Sequence, residues 1–176
     1  MSIRFAHRGY LIFIIRHEHR KNAAVTIQYT VSEPSGRLLE QSSKPTAYLH
    51  GGYGNTFDKI EQALQGQTSG FATRLTLTPE EAFGLRDEGL VQSIPKSEFP
   101  PGVKVGGQLR GRTQDGREAV FNVLKIKGQE VMLDGNHPHA GKTLTFAIKV
   151  ISVRAATQEE IAHGHVHGEH GHQHGA

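Results

Sequence analysis

The chain has 176 residues, a formal net charge of +3, and a composition that is 36% hydrophobic and 21% charged. These values are typical of one ordinary globular domain or two small ones, and so small a charge does not by itself indicate a nucleic-acid partner. The chain contains no cysteine, which excludes disulfide bonds and thiolate metal sites and favours a cytoplasmic location.

The first segment, residues 1–21, combines scattered basic side chains with one apolar run from Leu11 to Ile15. The run is too short for the core of a signal peptide or for a membrane span. We therefore expect neither a membrane association nor a nucleic-acid partner. The basic side chains fit either a solvated extension or a contact with an acidic partner.

Alternating apolar side chains then predict several strands, each with one buried face. The first strand begins at Val25, continues to Val31 and is followed by a turn over residues 33–36. Further strands are predicted at residues 38–39, 71–77 and 144–150. Antiparallel pairing of these strands against one helix predicts the α+β fold class.

The helix is predicted between Asn55 and Gly66, after a glycine-rich loop. Asn55 is the predicted N-cap and Gly66 the left-handed stop. Phe57, Ile60 and Leu64 share one face because they are spaced three and four residues apart. Such a stripe is either ordinary core packing or the wall of an apolar pocket.

A second series of short strands is predicted between Val91 and Gly135, at Val103 and Val105, at Leu109, and at residues 120–126 and 131–133. Asp115-Gly116 and Lys127-Gly128 are the predicted turns between them. The segment is either a small all-β binding lobe or an excursion without function. We favour the lobe because about 45 residues is long for an idle loop.

No motif of the common hydrolases or transferases is present, neither a nucleophile elbow nor a phosphate loop nor a zinc-protease helix. Rotation about an X-Pro bond needs none of these groups, because the obstacle is amide resonance, a barrier of about 18–20 kcal/mol. An apolar pocket stabilises the twisted amide relative to the planar, better hydrated one.

Several motifs occur in one order: YTV, LLEQS, YLHGGYGN, IEQALQG, EEAFG, SIPK, LDGNHPHAGKTLTF and a histidine-rich end. From about Val25 to Ala176, this order resembles the SlyD-like family of FKBP-type peptidyl-prolyl cis-trans isomerases. The resemblance implies an antiparallel half-barrel sheet around one short helix, with a small all-β domain inserted in the flap and a disordered histidine-rich tail. It implies the following boundaries: a basic extension at 1–21, a discontinuous isomerase domain at 22–90 and 136–156, an inserted chaperone domain at 91–135, and a C-terminal helix start and metal-binding tail at 157–176.

The resemblance also implies a site for the prolyl bond, with Ile60 as the floor under the proline ring and the backbone N–H of Phe57 holding the substrate carbonyl. The implied catalytic residues are Tyr29, Leu39, Glu40, Phe57, Ile60, Phe83 and Phe146. The residues expected to bind the rest of the polypeptide are Tyr48, Thr56, Ile94, Val103, Leu109, Phe121 and Val131. Two positions depart from the commoner family pattern, since Phe83 stands where a tyrosine is frequent and Glu40 where an aspartate is usual.

The C-terminal segment contains six closely spaced histidines: His163, His165, His167, His170, His172 and His174. Neutral imidazole suits nickel, with zinc, copper and cobalt as alternatives, and the family favours nickel. In a glycine-rich segment without a core, such side chains are able to converge on one ion. The alternatives are a solvated low-complexity end and a purification tag.

Two functions therefore remain open. The first is a monomeric peptidyl-prolyl isomerase with chaperone activity on unfolded or prolyl-containing polypeptides, which requires no cofactor for isomerisation. The second is a metal-handling protein, or a non-catalytic holdase, that uses the FKBP fold as a scaffold and has metallocentre-assembly proteins as partners.

Overall fold

The computed structural model describes residues 20–113 and 115–167. The strands are β1 (Ala23–Ser32), β2 (Leu38–Gln41), β3 (Thr46–His50), β4 (Ala72–Leu77), β5 (Val91–Pro95), β6 (Gln108–Arg112), β7 (Glu118–Lys127), β8 (Glu130–Asp134) and β9 (Leu144–Ala155). The helices are α1 (Asp58–Leu64) and α2 (Gln158–His163), with 3-10 turns at Glu88–Leu90 and Lys96–Glu98. Among the described residues, no helix is long and apolar enough to cross a membrane.

The strands form two sheets. The larger has five strands in the order β2-β1-β9-β4, with β3 also paired to β1, and the smaller has the order β5-β8-β7-β6. The described chain divides into two compact units, one of residues 20–29, 42–73 and 147–167 and the other of residues 30–41, 74–113 and 115–146. Mostly antiparallel sheets with few helices are the architecture that the sequence predicted, whereas the domain boundaries given above stay a prediction.

In the first unit, β1 and β3 pair antiparallel from Ala23 opposite His50 to Ile27 opposite Thr46. The predicted buried face of β1 is confirmed, since Val25 is 0% exposed and Ile27 is also buried. Alternation along this strand places these side chains on one face, and their burial supplies much of the hydrophobic stabilisation of the unit.

Helix α1 is shorter than predicted and begins differently. Its N-cap is Phe57, in extended backbone geometry and without a side-chain cap. Asn55 instead accepts a hydrogen bond from the backbone N–H of Leu49 at 3.1 Å, so the predicted capping role of Asn55 is wrong. The apolar stripe is confirmed, because Ile60 and Leu64 are buried, and Gly66 has the left-handed φ of 75° that ends the helical path.

In the second unit, the sheet of β5 to β8 is antiparallel throughout. Its fully buried core consists of Phe121, Val123, Val131 and Leu133. Residues 103–105 are not in a strand, contrary to the prediction: Val103 packs against that core from a loop, while Val105 is 58% exposed. Val103, Val105 and Leu109 suggest alternation, but the two glycines at 106 and 107 interrupt it, and Gly106 adopts a φ of 83°.

Candidate functional site

In the second unit, an aromatic cluster forms around Phe83. The rings of Phe83 and His137 are stacked, with centroids 4.0 Å apart and planes inclined by 2°. His139 is tilted against both, at 5.6 Å from Phe83 and 5.5 Å from His137. The stack covers one face of the His137 imidazole, although the residue as a whole is exposed.

Two loops are joined to form this cluster. The N–H of Gly141 donates to the carbonyl of Gly84 at 2.8 Å, directly after Phe83. Gly141 has a φ of 74°, and a Cβ there would lie 3.0 Å from the Cβ of Arg86. Glycine is therefore required at position 141 both for the backbone conformation and for the close approach of the two loops.

The loop before His137 is held by a buried polar network. Asn136 receives the N–H of Asp87 at 2.8 Å and donates its amide to the carboxylate of Asp134 at 2.7 Å. Arg86 donates to the same carboxylate at 2.6 Å. Burial opposes ionisation of Asp134, but the hydrogen bonds from Asn136 and Arg86 prevail and lower its pKa. The loop that carries His137 is thereby fixed to a sheet of the same unit.

The protonation state of His137 follows from one hydrogen bond. The backbone N–H of His139 lies 3.1 Å from His137 Nδ1. An amide N–H only donates, so Nδ1 is unprotonated and the ring carries its proton on Nε2. Partial burial and then the neighbouring His139 lower the pKa of His137, and the Glu40 carboxylate acts in the opposite direction. The neutral ring is therefore the favoured form.

In the first unit, the glycine-rich loop after β3 is tied to α1. Glu61 of the helix accepts the N–H of Gly51 at 2.6 Å and of Gly52 at 3.1 Å. Fully buried His50 bonds Tyr48 through Nδ1 at 3.0 Å and Gln65 through Nε2 at 2.7 Å. These bonds fix the loop that leads into the N-terminus of α1.

The predicted site residues fall in both units. Tyr29, Tyr48, Thr56, Phe57 and Ile60 belong to the first, and Leu39, Glu40, Phe83 and Phe146 belong to the second. Ile60 and Phe146 are buried, at 3% and 5% exposed. Tyr48 is also buried, and burial followed by the Glu61 charge raises the pKa of its hydroxyl, which therefore stays neutral. The roles of all these residues stay predictions.

The predicted polypeptide-binding residues of the insert are brought together, but as a core. Phe121 and Val131 are 0% exposed, and Ile94, Val103 and Leu109 pack partly buried against them. Other apolar side chains of the same segment face solvent: Val105, Val120, Leu124 and Met132 are 43% to 58% exposed. These four, termed the exposed apolar group below, were not predicted to bind polypeptide, although all four lie at positions predicted as strands.

Three histidines near the C-terminus lie together. One ring nitrogen from each of His163, His165 and His167 falls within 4.8 Å of the other two. His163 Nδ1 and His167 Nε2 are 2.9 Å apart, so one of these nitrogens carries the shared proton. Four-coordinate zinc with bonds of about 2.0–2.1 Å requires nitrogens roughly 3.4 Å apart, a spacing between the 2.9 Å of the His163–His167 pair and the 4.8 Å limit of the cluster. His170, His172 and His174 lie outside the described residues.

These three histidines belong to a folded segment, residues 157–167 (termed the hook below), rather than to the coreless tail that the sequence predicted. Helix α2 begins with a capping box in which Thr157 and Glu160 exchange hydrogen bonds, and it ends at left-handed Gly164. Val166 is buried against Ala24, Ala47 and Leu49. The fold therefore constrains residues 163–167, which lowers the entropy that a metal would otherwise have to overcome.

Glu160 is the buried acceptor at the centre of this hook. Its carboxylate is 2% exposed and receives two hydrogen bonds from Arg154, at 2.6 and 2.8 Å. It also accepts the backbone N–H groups of Thr157 at 2.8 Å and His167 at 3.0 Å. The Arg154 hydrogen bonds are the largest influence and, despite burial, the pKa of Glu160 falls to about 2. The T-x-x-E spacing from Thr157 to Glu160 is a sequence signal for the start of this helix.

No protein-family model matches the chain. Among curated proteins, the chain is 42% identical over 153 residues to the FKBP-type peptidyl-prolyl cis-trans isomerase SlyD of Aeromonas hydrophila, covering 85% of this chain and 71% of that protein. It is 38% identical over 151 residues to the SlyD of Vibrio cholerae, covering 84% and 74%. Among solved structures, FkpA from Escherichia coli superimposes with a TM-score of 0.42 and 14% identity, over 81% of this chain and 45% of FkpA. The chain thus spans less than half of the FkpA chain.

Proposed function

The chain belongs to the SlyD family of FKBP-type peptidyl-prolyl cis-trans isomerases, and we propose that it catalyses rotation about X-Pro bonds in polypeptides. The observation that carries this proposal is the likeness to proteins of that name over 71% and 74% of their lengths. The family further supports an FKBP-type half-barrel as the form of the larger sheet with α1.

The proposed mechanism requires no reacting side chain. The planar amide is stabilised by resonance and by hydration of its charge separation, both of which diminish as the bond twists. A pocket walled by apolar side chains therefore binds the twisted bond better than the planar one. We assign this role to the following residues: Tyr29, Leu39, Phe57, Ile60, Phe83 and Phe146. Their aromatic and aliphatic chemistry supports the assignment.

The N-terminus of α1 supplies the polar element of this proposal. Phe57 is the N-cap residue, and the first turn of a helix presents backbone N–H groups that are not used within the helix. We assign the Phe57 N–H to the substrate carbonyl. The Glu61 bonds to Gly51 and Gly52 fix the preceding loop, which limits the reorganisation needed on binding.

The function is tested with the full chain on two substrates. One is a prolyl tetrapeptide whose cis-to-trans conversion is followed with a coupled protease, and the other is an unfolded protein whose refolding is limited by proline isomerisation. We expect catalysis of both at catalytic concentrations of the chain. If the chain accelerated the conversion of neither substrate, the assignment to this enzyme class would be contradicted.

We also propose that the insert binds unfolded polypeptide, which gives the protein chaperone activity. The exposed apolar group supports this, because exposed apolar side chains on the small sheet and on the loop at Val105 provide a surface for nonpolar segments. Strands β5 and β6 are the terminal strands of the same sheet, and the proposal is that an extended chain pairs with one of them. Capture there raises the local concentration of prolines for the isomerase site.

The second candidate function, binding of a divalent metal, is supported by the cluster of His163, His165 and His167. Three imidazoles within 4.8 Å of one another suit nickel, zinc, copper or cobalt and leave further coordination positions for water or another ligand. We propose reversible binding by the neutral rings, with nickel favoured by the family resemblance. Partners in metallocentre assembly and a cytoplasmic location stay predictions.

A further inference from the structure

We propose that the Nε2–H of His137 donates a hydrogen bond to a carbonyl oxygen of the bound prolyl polypeptide, an inference that rests on the proposed isomerase function. Proline has no N–H, so the amide of the X-Pro bond itself offers only a carbonyl acceptor. Recognition of the substrate backbone there requires donors from the protein. His137 would therefore be a substrate-binding residue of the same site.

The position of His137 beside Phe83 supports this role. Phe83 is assigned to the pocket wall and offers no hydrogen-bond donor. The His137 ring lies parallel to it with centroids 4.0 Å apart, so it extends the aromatic wall and adds a polar edge. The residue is exposed although one ring face is covered, which is compatible with contact between the ring edge and a ligand.

The structure determines which ring nitrogen of His137 carries the proton as well as where the ring lies. Nδ1 accepts the backbone N–H of His139 at 3.1 Å, which confines the proton to Nε2. In the described part of the chain the hydrogen bond of His137 is made at Nδ1, which leaves Nε2 to donate to a substrate carbonyl. His139 is a poor substitute, because its Nδ1 is buried without a partner among the described residues.

Protonation of His137 would disturb this arrangement. A proton on Nδ1 would face the donating N–H of His139, so the ring would have to turn away from its position over Phe83. The charged groups that act on the ring are His139, which opposes protonation, and Glu40, which favours it, while partial burial lowers the pKa of His137 below its ordinary value. The neutral, donating form is therefore retained at neutral pH.

Two substitutions distinguish the contribution of the Nε2–H donor to activity from the contribution of the aromatic ring. His137→Phe keeps a ring over Phe83 and removes the N–H, whereas His137→Gln removes the ring and keeps an amide donor at similar reach. We expect kcat/KM for the prolyl tetrapeptide to fall about three- to tenfold in His137→Phe and much less in His137→Gln. Lys142→Ala, an exposed side chain of the same loop, is the control and should leave kcat/KM unchanged.

The pH profile provides a second readout. Wild-type kcat/KM should decrease as His137 becomes protonated, which occurs at a pH below the ordinary histidine value of about 6.5. The His137→Gln variant should lack this decrease. Equal activity of wild type and folded His137→Phe would overturn the proposal. Greater activity in His137→Phe than in His137→Gln would show that the ring, not the donor, matters, and would also overturn it.

Binding is measured independently of catalysis. In protein with 15N-labelled histidine, the saturating tetrapeptide should shift the Nε2 resonance of His137 and leave its tautomer unchanged. An unperturbed Nε2 resonance in the peptide complex would overturn the proposal even in an active enzyme. A protein that binds the peptide through Nε2 but has no turnover would support the contact and contradict the proposed isomerase function.

Discussion

At the scale of single residues, Ile60 is the most direct test of the apolar site. It is 3% exposed, so Ile60→Asp would bury a carboxylate without a partner. We expect kcat/KM for the prolyl tetrapeptide to fall at least about 100-fold in a folded variant, because a hydrated pocket loses its preference for the twisted amide.

Ile60→Val is the matched control, since it removes one methylene group and keeps the site apolar. Its cost in stability should be about 0.5–1.5 kcal/mol, and its turnover should remain near that of wild type. Circular dichroism establishes whether each variant is folded. A folded Ile60→Asp protein with wild-type turnover would remove Ile60 from the site.

Phe83 is the second residue to test. If the lack of a hydroxyl limits the enzyme, Phe83→Tyr should raise kcat/KM on the tetrapeptide. Because His137 already offers a donor beside this ring, the increase should be greater in the His137→Phe background, by about three- to tenfold. Steady-state kinetics on the two single variants and the double variant measure this coupling, and an additive result would show that the two positions act separately.

At the scale of elements, the hook around α2 depends on the charge of Glu160. Its folded-state pKa of about 2 lies below the ordinary value of 4.5, so its contribution to stability is complete above pH 4.5 and is lost as pH falls from there towards about 2. Glu160→Gln should lower the free energy of unfolding at pH 7 by about 1–3 kcal/mol.

Thermal unfolding at pH 7 and pH 3 measures this contribution. The free-energy gap between wild type and Glu160→Gln should be smaller at pH 3, because the unfolded wild-type chain is then protonated at Glu160 while the folded chain still holds the ionised carboxylate. Glu159→Gln, an exposed position of the same helix, should leave the wild-type profile unchanged. A constant gap at both pH values would show that the ionised carboxylate is not the source of the stabilisation.

The insert is the second element to test. Val91 lies opposite Asp134 in the β5–β8 ladder, so a short loop is able to join the two residues after removal of residues 92–133. We expect the shortened chain to retain most tetrapeptide turnover and to lose most of its activity on an unfolded protein. Equal losses on peptide and protein would indicate that the insert has a structural role.

A milder variant preserves the fold of the insert. Substituting serine for Val120, Leu124 and Met132 changes exposed side chains only, whereas Phe121 and Val131 remain in the core. This variant should match the shortened chain in its loss of activity on unfolded protein. Full retention of that activity would show that the exposed apolar group does not bind the polypeptide.

At the scale of the whole molecule, metal binding is tested without disturbing the hook. A chain ending at Ala162 would lack buried Val166, so a chain ending at His167 is the better comparison. We expect it to retain one metal site by calorimetry, and His163→Ala/His165→Ala/His167→Ala in this chain to abolish that site. Affinity should fall as the solution is made more acidic, because protons compete with the metal for the same nitrogens.

The matched measurement is the triple substitution in the full chain, which leaves His170, His172 and His174 in place. Loss of the high-affinity site there would assign it to the folded cluster. Unchanged nickel uptake by the triple variant would assign binding to the last nine residues instead. Unchanged uptake after truncation at His167 combined with the triple substitution would show that the metal binds elsewhere in the protein.

The sequence by itself determined the local elements and the family. Alternation in β1 and the three- and four-residue spacing in α1 predict buried faces because both patterns follow from backbone geometry within a short segment. The order of the motifs was enough to indicate the family to which the chain belongs. The strand prediction at Val103 and Val105 was wrong because two alternating residues are too few to outweigh the effect of the two glycines that follow them.

Only the tertiary structure decided which distant groups meet. Asn55 holds Leu49 rather than capping α1, His137 stacks on Phe83, and Val166 packs into the core at the end of a segment whose composition indicated no core. No periodic pattern in the sequence predicts these contacts, because each contact depends on how the sheets position loops that are distant along the chain. The apolar pattern specifies that a face is buried, while its partner is set by long-range packing and by the polar groups that must be satisfied within it.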